Sequence, residues 1–216
     1  MYAKAIILDG NSCYNIANMT ASNNMQAESA WAVRTHEEMK DVLYSPESAG
    51  PAVYYYMIRG GDYKKNITIL ESGTVGGEYI KAYGHYHVDG LGETYTVLSG
   101  EGIVLLQERK KKDDGSFCND EIESVKAIFI SAGSVVTIPP KVGHLIINIG
   151  EGWLVTSDNS PVALTVDEKT SWPVHADYKP LKELHGFAYY VIKEDDGQIF
   201  VKNPNYKNIP EIIIEH

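Results

Sequence analysis

Apolar and polar positions alternate in short runs along most of the chain. Segments rich in Val, Ile, Thr and Tyr recur at 53–58, 66–70, 94–98, 103–107, 125–130 and 135–138, separated by Gly, Asp or Pro. The series continues at 145–149, 154–157, 162–166, 187–193 and 198–202. Such runs between turn residues predict strands, and many in succession predict a β-sandwich or barrel. One helix is expected ahead of them. Thr35 and Glu38 have the spacing of a capping box, Met39 and Leu43 share an apolar face, and Ser45-Pro46 closes the segment. The charged run from Lys110 to Asp114, followed by Gly115, reads as an exposed hairpin loop, and Glu194-Asp195-Asp196-Gly197 as an Asp-Gly hairpin turn.

Composition narrows the class without changing the fold. In 216 residues, 44% are hydrophobic and 22% charged, which suits a folded domain and argues against disorder or coiled coil. No internal repeat, linker or shift in composition divides the chain. We therefore expect a single domain over 1–216, with a barrel core at about 50–170, an N-terminal extension at 1–49 and a C-terminal hairpin at 186–203. The formal net charge of −10 repels nucleic acid and anionic membrane, so neither is expected as a partner. The apolar stretch from Ala5 to Leu8 is far shorter than a signal-peptide core, and no run approaches the roughly 20 residues of a membrane span. A cytoplasmic location is the expectation. Cys13 and Cys118 lie too far apart for a CxxC site and suggest no disulfide framework.

The densest chemistry lies at Gly84-His85-Tyr86-His87, followed by Glu93. Residues two apart on a strand face the same way, so His85 and His87 present two imidazoles on one side. A carboxylate at Glu93 can return on the next strand, and His144 follows Pro139-Pro140 at the head of another. Imidazole with carboxylate is a donor set for a first-row divalent ion, Fe, Mn, Ni or Zn. Other positions read more plainly. His36, His185 and His216 are taken as ordinary surface or core histidines, Lys81 as a solvated strand-end lysine, and Tyr54-Tyr55-Tyr56 as a half-buried strand whose middle ring faces away from its neighbours.

Together, GHYH, Glu93, Gly100, Pro139-Pro140 and His144 resemble the two motifs of the cupin superfamily. That resemblance implies an all-β double-stranded β-helix, or jelly roll, here with a short N-terminal helix and flanking extensions. It also implies a divalent metal held by His85, His87, Glu93 and His144. Within cupins the chain is most similar to the cupin-type phosphoglucose isomerases. The likeness runs through Arg34-Thr35, Ile67-Thr68, Gly77-Glu78-Tyr79, Glu93-x-Tyr95, Leu98-x-Gly100-x-Gly102, Asn148-Ile149-Gly150, Asp177-Tyr178 and Asn203-Pro204.

This second resemblance implies an aldose-ketose isomerase whose partner is a small sugar phosphate, glucose 6-phosphate or fructose 6-phosphate. Glu93 matches the catalytic base and Tyr95 an active-site tyrosine. Thr68 and Gly84 match phosphate-holding positions, and His175 is the candidate for a late active-site histidine. Cupins pair through barrel edges, so a homodimer is expected. Three positions depart from the family pattern: Ala82 lacks a hydroxyl that would face phosphate, Lys141-Val142 replaces an aromatic pair, and Leu145 replaces an arginine. They keep open an isomerase or epimerase of another sugar, an oxygen-dependent cupin, or a non-catalytic metal- or sugar-binding module.

Overall fold

The structure, a computed structural model, describes residues 5–9, 12–15, 30–59, 66–87, 90–160 and 176–216. A hairpin of β1 (Ala5–Asp9) and β2 (Ser12–Asn15) comes first. The strand β3 (Ala30–Thr35) then runs into α1 (His36–Met39) and a 3-10 turn over Lys40–Val42. Thr35 caps α1 as its spacing predicts: its hydroxyl accepts from the Glu38 amide, and Glu38 accepts from the Thr35 amide at 2.8 Å. The helix tightens after one turn, so the segment ends at Val42.

Three sheets then carry the molecule. One has six strands in the order β12 (Val135–Ile138), β9 (Glu93–Ser99), β14 (Leu154–Asp158), β5 (Asn66–Leu70), β4 (Val53–Arg59) and β3. A second runs β13 (Gly143–Asn148), β10 (Glu101–Lys111), β11 (Phe117–Ser131) and β18 (Ile213–Glu215), the last pair being parallel. The third is β17 (Gly197–Lys202), β16 (Tyr189–Glu194), β7 (Glu78–Tyr79) and β6 (Thr74–Val75). A short pair joins β8 (Tyr86–His87) to β15 (Ala176–Asp177), and α2 (Lys179–Glu183) follows. This is the jelly roll of a cupin. One apolar cluster takes Met57, Leu70 and Val97 from the six-stranded sheet and Ile103, Leu105 and Ile147 from the β13 sheet, and that shared burial holds the two together. Among the described residues no helix is long and apolar enough to cross a membrane.

Most expected strands are present within a few residues of their predicted ends, while the run at 162–166 lies outside the described residues. The charged hairpin is present, but β10 continues through Lys110 and Lys111, so the loop itself starts at Lys112, closed by the Lys112 amide donating to the Ser116 carbonyl at 2.8 Å. The later hairpin differs in detail. Glu194 pairs with Gly197, so Asp195-Asp196 form the two-residue turn and Gly197, at φ +132, opens the next strand.

Between β7 and β8 the chain lies along the free edge of β13. The Ala82 amide donates to the Ile146 carbonyl at 2.8 Å, and His85 and His144 exchange both backbone hydrogen bonds at 3.1 Å. This edge pairing brings the GHYH segment beside His144.

Lys81 corrects its expectation as a solvated residue: it is 2% exposed. Its Nζ donates to the Glu78 carboxylate and to the Val42 carbonyl at 2.7 Å, and it lies 5.1 Å from the centre of the Tyr190 ring. Glu78 in turn accepts from the Tyr44 amide at 2.9 Å. Burial pushes the Glu78 carboxyl up, and Lys81 and the Tyr44 amide draw it back only in part. This buried pair ties the 3-10 turn to the strand leading into GHYH. Removing one partner leaves a buried charge uncompensated, so Lys81→Ala should cost about 3–5 kcal/mol. The double replacement Glu78→Leu with Lys81→Met should cost much less, and urea unfolding of both variants checks the difference.

Candidate metal centre and adjoining cavity

Local structure decides which way each ligand points. Gly84 has φ +77, and a Cβ there would sit 2.6 Å from Phe187 Cε2, 2.9 Å from Leu145 Cβ and 3.0 Å from the His144 carbonyl. Only glycine accepts both that backbone conformation and that approach, and it lets the chain press His85 against β13. His87 follows on β8, Glu93 opens β9, and His144 stands on β13. The four side chains offer ligand atoms that all lie within 4.8 Å of one another. His87, Glu93 and His144 are buried and His85 half-buried.

The imidazole rings meet at centroid distances of 4.4 Å for His85 and His144, 5.0 Å for His87 and His144, and 5.1 Å for His85 and His87. His87 Nδ1 lies 2.7 Å from the Leu91 carbonyl. Donation from Nδ1 to that carbonyl assigns the tautomer that turns the Nε2 lone pair toward the other ligands. Glu93 Oε1 lies 2.8 Å from His144 Nε2, and Oε2 is 3.6 Å from His87 Nε2 and accepts from the Ser160 hydroxyl.

The electrostatics follow from crowding charge away from water. Burial opposes the charged form of Glu93, but the His144 charge and hydrogen bond, with His87 and His85 behind it, hold its carboxyl well below the usual range. Burial likewise opposes the charged His87 ring, yet the Glu93 hydrogen bond and charge raise it. A carboxylate among these imidazoles therefore requires positive charge, supplied either by protons on the rings or by a cation. A divalent ion fits the second case, because its binding displaces those protons and uses the same lone pairs. Three nitrogens and one oxygen, from the GHYH segment, β9 and β13, form such a donor set.

A cavity opens beside the cluster. Tyr95, Thr68 and Gly84 line it, as does Tyr55, the middle ring of the tyrosine run. Tyr55 Oη is 3.3 Å from both Arg34 Nε and the Tyr83 amide, each of which donates to it. The Tyr95 phenol is buried near the Glu93 and Asp158 carboxylates; burial first, then those charges, push it far above ordinary tyrosine, so it stays a neutral donor. Ala82 lines the same cavity without a hydroxyl, and Leu145 lines it also. Lys141 is exposed at φ +68 and is not among the cavity residues. His175 lies outside the described residues.

The cavity also holds a polar group that sequence reasoning missed: Arg59, Asn66, Asp158 and Ser160. Asp158 Oδ1 accepts from Asn66 Nδ2 at 2.6 Å and from the Ser160 amide at 3.0 Å, while Oδ2 lies 3.8 Å from Arg59 Nη1. Burial and the Glu93 charge raise the Asp158 carboxyl, against the opposing pull of Arg59, Asn66 and the Ser160 amide. Alternation was the available signal: Tyr55, Met57 and Arg59 all line the cavity, so the strand that points Tyr55 inward points Arg59 inward as well.

Fold and site together define a cupin barrel whose metal-type cluster opens into a polar cavity. Residues 21–209 match the family described as Glucose-6-phosphate isomerase, and the chain belongs to that family. Similar proteins include the glucose-6-phosphate isomerase of Pyrococcus furiosus, 30% identical over 169 residues that cover 74% of this chain and 76% of that protein. The enzyme of the same name from Thermococcus litoralis is 30% identical over 171 residues, with coverage of 74% and 76%. Among solved structures, oxalate decarboxylase from Lactobacillus farciminis aligns with 44% of this chain and 22% of its own at 20% identity and a TM-score of 0.31, a likeness too slight to bear on the site.

One divalent ion per chain is the expected stoichiometry by elemental analysis after dialysis against limiting manganese or zinc. His144→Asn should weaken retention by more than about 10-fold, since losing even an outer-shell partner of a ligand costs roughly that much. Chelation should lower the midpoint of thermal unfolding, because an ion that binds only the folded state stabilises it.

Proposed function

We propose that this protein interconverts glucose 6-phosphate and fructose 6-phosphate, with a divalent ion resident at His85, His87, Glu93 and His144. The observation that carries the reading is the convergence of these ligands within 4.8 Å beside a cavity lined by Tyr95, Thr68 and Gly84, in a chain of the glucose-6-phosphate isomerase family. Aldose-ketose isomerisation moves a proton between neighbouring carbons through a cis-enediol. It requires a base close to both carbons and a means of stabilising the enediolate oxygens.

Glu93 is the base in this account. Its carboxylate, held deprotonated, takes the proton from C2 of the aldose and returns it to C1 of the enediol. Oε2 accepts from the Ser160 hydroxyl, which fixes the plane of the carboxylate. Tyr95 remains a neutral phenol in which the hydroxyl can donate to a substrate oxygen or to Glu93. The Thr68 hydroxyl and the Gly84 amide hold the phosphate end, and His175 is counted among the substrate-binding residues on the sequence alone. When bound, the divalent ion supplies Lewis-acid polarisation of the carbonyl and hydroxyl oxygens at C1 and C2. Fe, Mn, Ni and Zn all suit the ligand set. The proposal includes a single cupin unit over the chain, a homodimer paired through sheet edges, and a cytoplasmic location.

Ala82 supports a narrower second reading, in which the same chemistry acts on another sugar, because the cavity wall lacks a hydroxyl at that position. A coupled assay of metal-loaded protein should convert fructose 6-phosphate to glucose 6-phosphate. Glu93→Gln should lower kcat by roughly 10²- to 10⁴-fold, the range for loss of a general base. Chelator-treated protein should be inactive until metal is restored. Absence of conversion with every divalent metal, together with turnover of an unphosphorylated or differently substituted sugar, would transfer the assignment to the second reading.

A further inference from the structure

The group at Arg59 is built unlike a structural ion pair. The Arg59 side chain is 14% exposed, and its guanidinium approaches Asp158 only at 3.8 Å, beyond hydrogen-bond length. Its Nε is buried without a hydrogen-bond partner. Asp158 takes its close hydrogen bonds on Oδ1, from Asn66 and the Ser160 amide, and Oδ2 is the oxygen turned to Arg59. The carboxylate therefore keeps the guanidinium in the cavity while leaving donors unused. Among the described residues lining this cavity, Arg59 is the one Lys or Arg. Thr68 and Gly84 line the same cavity, and Ala82 there offers no hydroxyl.

A phosphate dianion brought into a protein with a formal charge of −10, past the carboxylates of Asp158 and Glu93, meets repulsion that neutral hydroxyls and amides do not balance. A planar guanidinium with free donors matches phosphate oxygens in both charge and geometry. We propose that Arg59 is the charged anchor for the phosphate group of the substrate, leaving its loose contact with Asp158 to bind it and supplying the recognition that residue 82 lacks. The inference rests on the sugar-phosphate reading of the site. It adds a specificity residue that distinguishes phosphorylated from unphosphorylated sugars.

The test compares the metal-loaded wild type with Arg59→Gln and Arg59→Lys, by calorimetric titration with inorganic phosphate and by isomerase kinetics. The wild type should bind inorganic phosphate, and Arg59→Gln should weaken that binding by about tenfold or more, as expected on losing charge-assisted hydrogen bonds. Arg59→Lys, which keeps the charge without the fork, should recover part of the loss. With fructose 6-phosphate, KM should rise by a similar factor in Arg59→Gln while kcat falls much less, the signature of lost uniform binding. Turnover of free fructose, measured at high concentration, should fall much less than turnover of the phosphate ester.

Equal phosphate affinity in wild type and Arg59→Gln would overturn the proposal, as would a wild type that binds no phosphate. An equal loss on phosphorylated and free sugar, unrelieved in Arg59→Lys, would also overturn it by making Arg59 merely structural. The phosphate titration does not depend on turnover. A wild type that binds phosphate through Arg59 yet isomerises no sugar phosphate would therefore refute the isomerase reading and leave the anchor standing.

Discussion

A carboxylate and three imidazoles share one largely buried space, and their charge must be balanced there. A buried carboxylate without compensation costs several kcal/mol. His144 lies 2.8 Å from Glu93 and His87 3.6 Å from it, so the imbalance is met within the cluster itself. Protons on the rings satisfy it in one way, and a divalent ion satisfies it while also giving the site its chemistry. The fold supplies the forcing geometry. The GHYH segment is bonded to β13 through His85 and His144, β9 brings in Glu93, and the shared apolar cluster keeps the sheets from separating. The buried Glu78–Lys81 pair secures the approach to this segment from the other side.

The clustering of His85, His87, Glu93 and His144 was legible because its information is local. Two histidines two residues apart, a glutamate opening the next long strand and a histidine after a double proline each carry their own signal of direction. The long strands were legible for the same reason. Lys81 was not, because its partners are the Glu78 carboxylate and a carbonyl on the 3-10 turn 39 residues earlier, and only the folded arrangement brings that turn close. Short strands such as β6, β7 and β15 exist through pairing with a neighbour, so two-residue stretches carry no periodicity of their own.

The cavity wall illustrates the same division. Asp158 is the Cα partner of Asn66 on one side and of Tyr95 on the other, which makes a polar row across three strands. No motif announces that row, because cross-strand register is set by the whole sheet and not by any one segment. Its consequence is chemical. Two carboxylates, a neutral phenol and one guanidinium line one cavity, which gives its wall charge of both signs. The family resemblance points to Tyr95, Thr68, Gly84 and the His/Glu cluster, whereas Asn66, Asp158 and Arg59 come into view only in the folded sheet.

Everything proposed for the site depends on the four converging side chains holding one divalent ion. Anomalous diffraction at the manganese absorption edge, from crystals of manganese-loaded protein, tests it most directly. One strong peak per chain is expected, about 2.0–2.3 Å from an imidazole nitrogen of each of His85, His87 and His144 and from a carboxylate oxygen of Glu93, in line with ordinary metal–nitrogen and metal–oxygen lengths. A cluster without a peak in crystals that take up manganese elsewhere, with the imidazoles hydrogen-bonded to Glu93 alone, would contradict it.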